Sequence, residues 1–228
     1  MNLTPLMKAA MIAVRDCLGA QPEENALIVT DTGKLAIAES FLYAFHSLGI
    51  DATLMVMTPR YHHAQEPPSE VRAAMLNCDV ALLVTTKSLT HTHSRVDATN
   101  QGVRIASLPG ITEDMMTVGA MTADYQKVSE LSWRLTKLLE NTQEVEIATE
   151  LGTHLVMSLK GRKPGIPPDD GIYRDKGRWG NLPAGEAYIA PVEESVNGVV
   201  VVDGSQSPLG LLSAPIRITI RDGKAVKF

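Results

Sequence analysis

The chain has 228 residues, 44% of them hydrophobic, and its 21 lysines and arginines against 26 aspartates and glutamates leave a net charge of −5. That composition excludes general disorder, and that length holds one large domain or two small ones. No basic run exceeds Lys160-Gly161-Arg162-Lys163, so the phosphate-backbone footprint of a nucleic-acid binder is absent. Cys17 and Cys78 form no CxxC and no zinc spacing, which points to a reducing, cytoplasmic setting. The longest apolar stretch near the N-terminus, residues 9–14, is too short for a bilayer or a signal core, so no membrane partner is expected.

Along the chain, Thr4 before Pro5 is a helix start, and Leu6, Ala9, Ala10, Ala13 and Cys17 continue the helical period. Residues 26–30 form a short apolar run with β-branched members, the pattern of a strand buried on both faces. A helix follows with Ala38, Leu42, Phe45 and Leu48 on one side, ending at Gly49. The unit repeats as a strand at 51–57, a helix at 69–76, and strands at 80–85 and 103–107. A long helix at 123–140, with Val128, Leu131, Leu135 and Leu138 as its inward stripe, closes this half. Strands alternating with helices need right-handed crossovers. Residues 1–142 are therefore expected to form an α/β domain, a Rossmann- or flavodoxin-like parallel sheet with helices on both faces.

Ligands collect beyond the carboxyl ends of such strands. The loop Thr30-Asp31-Thr32-Gly33-Lys34 lacks the earlier glycine and the Ser/Thr after lysine that a phosphate loop needs, and reads as an ordinary helix start. Thr90-His91-Thr92-His93-Ser94-Arg95 follows the third strand and has two readings: a polar loop capping the next helix, or a substrate-binding loop using His91, His93 and Arg95. As a metal pair the histidines have only Asp97 nearby. His46, His62, His63 and His154 receive no role.

After residue 142 the pattern changes. Residues 144–149 and 154–159 alternate as a hairpin, and 160–185 is a 26-residue stretch with six glycines and four prolines and no periodicity. Further strands are expected at 186–190 and 198–202, and residues 216–221 reach an Asp222-Gly223 turn and a return strand. Residues 143–228 thus read as a β-rich domain, and its end within a last hairpin gives the expectation that this domain is incomplete.

At Gly177-Arg178-Trp179-Gly180-Asn181-Leu182-Pro183-Ala184-Gly185-Glu186-Ala187-Tyr188-Ile189-Ala190-Pro191 the sequence resembles the thermophilic-type metalloaminopeptidases, the family of aminopeptidases T and S and of leucyl aminopeptidase-like proteins. The His91 loop, residues 104–112 and residues 202–205 are similar as well. The resemblance implies a cytoplasmic, homodimeric hydrolase that removes N-terminal residues from a peptide substrate with two divalent metal ions, zinc, cobalt or manganese. Glu186 is the one matching metal ligand, and the missing ligands imply a chain that does not fully bind the pair and is inactive alone. A catalytic residue is not identified. Apart from the resemblance, Glu186 is a solvent-facing strand residue and Trp179 a packing anchor. Two other functions stay open: a non-haem iron dioxygenase opening dihydroxypyridine rings, which shares the Gly-Arg-Trp-x-x-x-Pro-x-Gly framing but needs no glutamate here, and a non-catalytic binding or assembly module.

Overall fold

The computed structural model describes residues 4–207 and 209–228. Helix α1 (Pro5–Met11) starts where the sequence places it, with the Thr4 hydroxyl accepting the Met7 amide at 3.3 Å. Its continuation, Ile12–Cys17, winds as a π-helix instead of an α-helix. The carbonyls at its end are taken by a later loop: Asp16 accepts from the Arg174 guanidinium and Cys17 from the Tyr173 amide.

Strands β1 (Ala26–Asp31), β2 (Ala52–Met57), β3 (Val80–Val84) and β4 (Arg104–Ser107) alternate with helices α2 (Leu35–Ser47), α3 (Ser69–Met75), α4 (His93–Asn100) and α5 (Glu113–Thr117). All four strands pair in parallel, with Ala26 opposite both Ala52 and Val80, and Val80 opposite Arg104. Every residue of β1 and β3 is buried, as their unbroken apolar runs require. Ile28, Leu82 and Ala106 pack on one side with Ala9, Phe41 and Phe45. Leu27, Val29, Leu83 and Ile105 pack on the other with Val71, Met75 and Ala98. The α/β class with helices on both faces is therefore the observed one.

Helix α6 (Tyr125–Glu140) forms, but not with the expected inward stripe. Leu131, Leu135 and Leu138 are 54%, 45% and 65% exposed, while Tyr125, Ser132 and Thr136 are buried. Its packing face is thus hidden from a hydrophobicity count.

Strands β5 (Glu144–Ala148) and β6 (His154–Ser158) make the expected antiparallel hairpin. The glycine- and proline-rich stretch then yields β7 (Trp179–Asn181), too short for a periodic signal, which adds to the first sheet in parallel beside β4. The first sheet runs β2-β1-β3-β4-β7. Gly180 at its centre is required, because a Cβ there would run into the Asp169 carboxylate and the Tyr173 ring.

The expected strand at 186–190 is not formed. Glu186 makes only an isolated bridge with Asp169, their backbones exchanging bonds of 2.9 and 3.1 Å. Strands β8 (Asn197–Val202), β11 (Ile216–Arg221) and β12 (Lys224–Lys227) complete a second sheet of order β12-β11-β8-β6-β5, beside a small ladder of β9 (Ser205–Gln206) and β10 (Gly210–Leu211). The turn at Asp222 and Gly223 has φ of 47° and 73°, as a tight hairpin demands. By its contacts the chain forms two compact units, residues up to Ser132 with Asp169–Glu186, and Trp133–Pro168 with Ala187–Phe228. Among the described residues no helix is long and apolar enough to cross a membrane.

Candidate functional site

Polar side chains gather past the carboxyl ends of β3, β4 and β7, the place an open parallel sheet reserves for ligands. Ser107 ends β4, Asn181 ends β7, and Thr90 lies in the loop after β3. The Thr90 hydroxyl stands 2.9 Å from the Ser107 hydroxyl and 3.1 Å from Asn181 Oδ1, and a third hydroxyl, of Ser88, joins it at 2.9 Å. Thr90 and Ser107 are buried, so these bonds are what lets polar groups sit at the edge of an apolar core.

The loop carrying the two histidines is held at both ends. Thr92 caps α4, its hydroxyl accepting the Arg95 amide at 3.2 Å. The Glu66 carboxylate accepts from the amides of His93 and Ser94 and from the Ser94 hydroxyl, a negative group at the positive end of the helix. Burial pushes the Glu66 carboxyl up, but the Ser94 hydroxyl, the two amides and the nearby His93 outweigh it and hold it below the usual carboxylate range. A second loop is latched beside it, with Ser88 donating its amide to His63 Nδ1 at 3.1 Å.

Arg95 turns inward and is 6% exposed. Its Nε donates to the Thr90 carbonyl at 2.6 Å and its Nη1 to the Thr99 hydroxyl at 3.3 Å. Its guanidinium lies over the Trp179 ring, 3.8 Å from the centroid. Burial lowers its pKa. Trp179 is 37% exposed, and the exposed His91 stands edge-on to it, centroids 6.4 Å apart and planes at 85°. Behind Asn181 the network continues. Its carbonyl accepts from the Tyr173 hydroxyl at 2.6 Å, and its amide donates to Asp169 at 3.2 Å. The Tyr173 hydroxyl also bonds Asp169. Burial, then the charge of Asp169, drives the Tyr173 hydroxyl far above its ordinary value, so it acts as a neutral donor. Burial likewise raises Asp169, helped by Glu186 and Asp170 and opposed by Tyr173 and the Asn181 amide.

Of the residues singled out from sequence, His91 and Arg95 meet at Trp179. His93 is exposed in the first turn of α4, and its amide rather than its ring carries the contact to Glu66. Glu186 is exposed and has Asp169 as its acidic neighbour. Among the described residues no three His, Cys, Asp or Glu side chains come together as metal donors. The Thr30 to Lys34 loop is satisfied from within. Asp31 accepts from Gly33 and Thr86 at 2.6–2.9 Å, and Lys34 donates to the Ile111 carbonyl at 2.7 Å. The sequence reading missed Trp179, Ser107 and Asn181 as site residues. The signal available for Ser107 was its place at a strand's carboxyl end; Asn181 was in view only as part of a motif, and Trp179 was read as a packing anchor rather than a substrate platform.

Among solved structures, the 2,5-dihydroxypyridine dioxygenase of Pseudomonas putida KT2440 is similar with a TM-score of 0.77 and 14% identity, over 99% of this chain and 68% of that one. AmpT of Thermus thermophilus is similar with a TM-score of 0.60 and 17% identity, over 98% of this chain and 70% of that one. At these identities both show the fold alone. No curated protein sequence matches. The metalloaminopeptidase expectation, and with it the hydrolase and protease reading, rested on the Gly177 to Pro191 block and on Glu186. The first half of that block builds β7 and its close packing, which a shared fold demands whatever the chemistry, and Glu186 opens no strand and joins no donor set. The family model described as NicX: 2,5-dihydroxypyridine 5,6-dioxygenase matches residues 7–228, and the chain belongs to that family and not to the aminopeptidases.

Proposed function

We propose that this chain serves the oxidative opening of a hydroxylated pyridine ring, its first unit binding and orienting the ring at the carboxyl edge of β4 and β7. The observation that carries the reading is the partly exposed Trp179 ring of β7, with the exposed His91 edge-on to it and the exposed Asn181 two residues on at the strand's carboxyl end, where the buried Thr90 and Ser107 hydroxyls hold it from behind. Such a surface suits a flat heteroaromatic ring bearing hydroxyls better than a flexible peptide terminus. Membership of the dioxygenase family supports the same substrate class.

Within this reading His91 is the exposed hydrogen-bonding group nearest the ring, and Arg95 acts from beneath the indole. His93 comes two residues later, exposed in the first turn of α4. A divalent metal is part of the reading, and iron, the metal of two-histidine-one-carboxylate oxygenase sites, fits it better than the zinc, cobalt or manganese of the peptidase expectation; zinc in particular has no redox chemistry to offer dioxygen. A non-haem iron site takes two histidines and a carboxylate. The described residues do not assemble that set, Glu186 included. The cytoplasmic setting belongs to this proposal too, supported by two free cysteines; burial pushes the Cys78 thiol up to about 12 and Cys17 higher.

Calorimetric titration of the chain tests the reading. It should bind 2,5-dihydroxypyridine and ignore leucyl dipeptides, and oxygen uptake with ferrous iron added reports whether the bound ring is opened. Preference for the dipeptide would overturn the proposal.

A further inference from the structure

An indole has two faces, and in Trp179 one of them lies against the Arg95 guanidinium, 3.8 Å from the ring centroid. That cation is 6% exposed. Among the described residues no carboxylate pairs with it; its partners are the Thr90 carbonyl, the Thr99 hydroxyl and the ring itself. A buried charge without a counter-ion is costly, and proteins keep one only where something compensates it. Trp179 nevertheless stays 37% exposed, with the edge-on His91 ring and the Asn181 side chain exposed near it. The arrangement is a ring covered on one face by a cation, met edge-on by a histidine, and still more than a third exposed.

The cation changes what the open side attracts. A bare indole face is electron-rich and prefers cations. A guanidinium against one face draws that density toward itself, and its field reaches through the ring into a site partly shielded from water. The preference is thereby turned toward electron-rich or anionic rings.

We infer that Trp179 is the stacking platform of the site and that Arg95, as a positioning residue behind it, selects planar hydroxyaromatic rings of electron-rich or anionic character over aromatic cations. The inference deepens the ring-opening reading and rests on it only for the identity of the ring; the platform itself rests on the pair of Arg95 and Trp179.

The chain has two tryptophans, Trp133 and Trp179, so W133F leaves Trp179 as the sole indole fluorophore. Four probes are titrated against it: 2,5-dihydroxypyridine, 3-hydroxybenzoate, benzyltrimethylammonium and the non-planar anion cyclohexanecarboxylate. The first two are expected to quench Trp179, binding about tenfold or more tighter than the last two: the cation lacks the favourable charge, on the scale of one unit charge acting through a partly shielded site, and cyclohexanecarboxylate lacks a flat ring to stack. Calorimetry on W179L should show the loss of that binding. R95M should bring the aromatic anion and cation to similar affinity, and R95K, which keeps the charge, should retain part of the selectivity. A purely structural role for Arg95 would lower all affinities without changing their ratio.

Equal quenching by the cation, no quenching by either planar hydroxyaromatic probe, or binding of those probes untouched in W179L would overturn the platform. Should R95M fail to fold, the probe ranking on the W133F chain still decides. Dihydroxypyridine binding that survives W179L removes the platform and keeps the ring-opening reading. Binding of 3-hydroxybenzoate without dihydroxypyridine keeps the platform and removes that reading.

Discussion

The two sheets of this chain are made of similar apolar residues and hold them very differently. β1 and β3 bury every residue, whereas β8 and β11, with Val199, Val200, Val201, Val202, Ile216, Ile218 and Ile220, are half-buried or exposed throughout. The first sheet is covered by helices on both faces, and a dry interior lets hydroxyls such as Thr90 and Ser107 hold fixed positions through bonds that water does not compete for. The second sheet is wetter, and its polar contacts, such as His154 with Glu146 at 2.7 Å, lie in the open. Placement of a functional edge follows from coverage of the sheet, not from strand composition.

The sharpest way to break that contrast is to remove bulk from each sheet. Phe41→Ala, beneath the first sheet and fully buried, should cost about 3–5 kcal/mol in denaturant unfolding, because a cavity adds to the lost transfer energy. Val201→Ala in β8 should cost roughly 1 kcal/mol, the value of partial apolar burial. Equal losses would mean that the second sheet is as well covered as the first.

Glycines give the next contrast. In Gly180→Ala the new methyl would meet the Asp169 carboxylate and the Tyr173 ring, and the cost of overpacking is about 1–3 kcal/mol. Gly204 has open space where its Cβ would go, and Gly204→Ala should shift stability by no more than about 0.5 kcal/mol. Because Gly180 sits in β7, its substitution should also shift the Trp179 emission, which the Gly204 variant should not.

Removing one hydroxyl comes next. Thr90→Val keeps the shape and deprives Ser107 and Asn181 of their shared partner, with an expected loss of about 1–2 kcal/mol and weaker binding of an aromatic ring. A variant as stable as the parent, with unchanged ring affinity, would show that the hydroxyl cluster does not order the site.

How much of this was legible beforehand follows the same physics. β1, β3, β4 and the Asp222-Gly223 hairpin are visible because burial on both faces, or a turn needing two positive φ angles, leaves a strong local mark, while β2, with only Met57 buried, was found by its apolar run alone. β7 leaves none: three residues carry no period, and what fixes them is pairing to β4 across more than seventy residues of chain. The packing face of α6 was misread because its buried residues include Ser132 and Thr136 while its leucines face water. The position of the His91 loop after a strand was legible. The meeting of Arg95 with Trp179 was not, since it depends on β7. The family was misjudged on Glu186, a residue whose exposed place outside any strand was not readable from its spacing.

The smallest expected effect concerns the clamp on the histidine loop. Glu66 is exposed, yet its carboxylate holds the amides of His93 and Ser94 and the Ser94 hydroxyl, and its folded pKa lies below the ordinary value near 4.3. A lowered folded value means the stabilisation is complete above the unfolded pKa and fades as the pH falls through the folded one. Solvent screening limits it to about 1 kcal/mol or less. Glu66→Gln should therefore be slightly less stable at pH 7 and indistinguishable from the parent in strong acid, where the carboxylate is lost anyway. Glu146→Gln, which breaks the open pair with His154 in the second sheet, should change stability by less than about 0.5 kcal/mol at pH 7. If both substitutions act alike, the loop before α4 is no better held than the surface of the second sheet, and His91 would not be fixed beside Trp179 by this clamp.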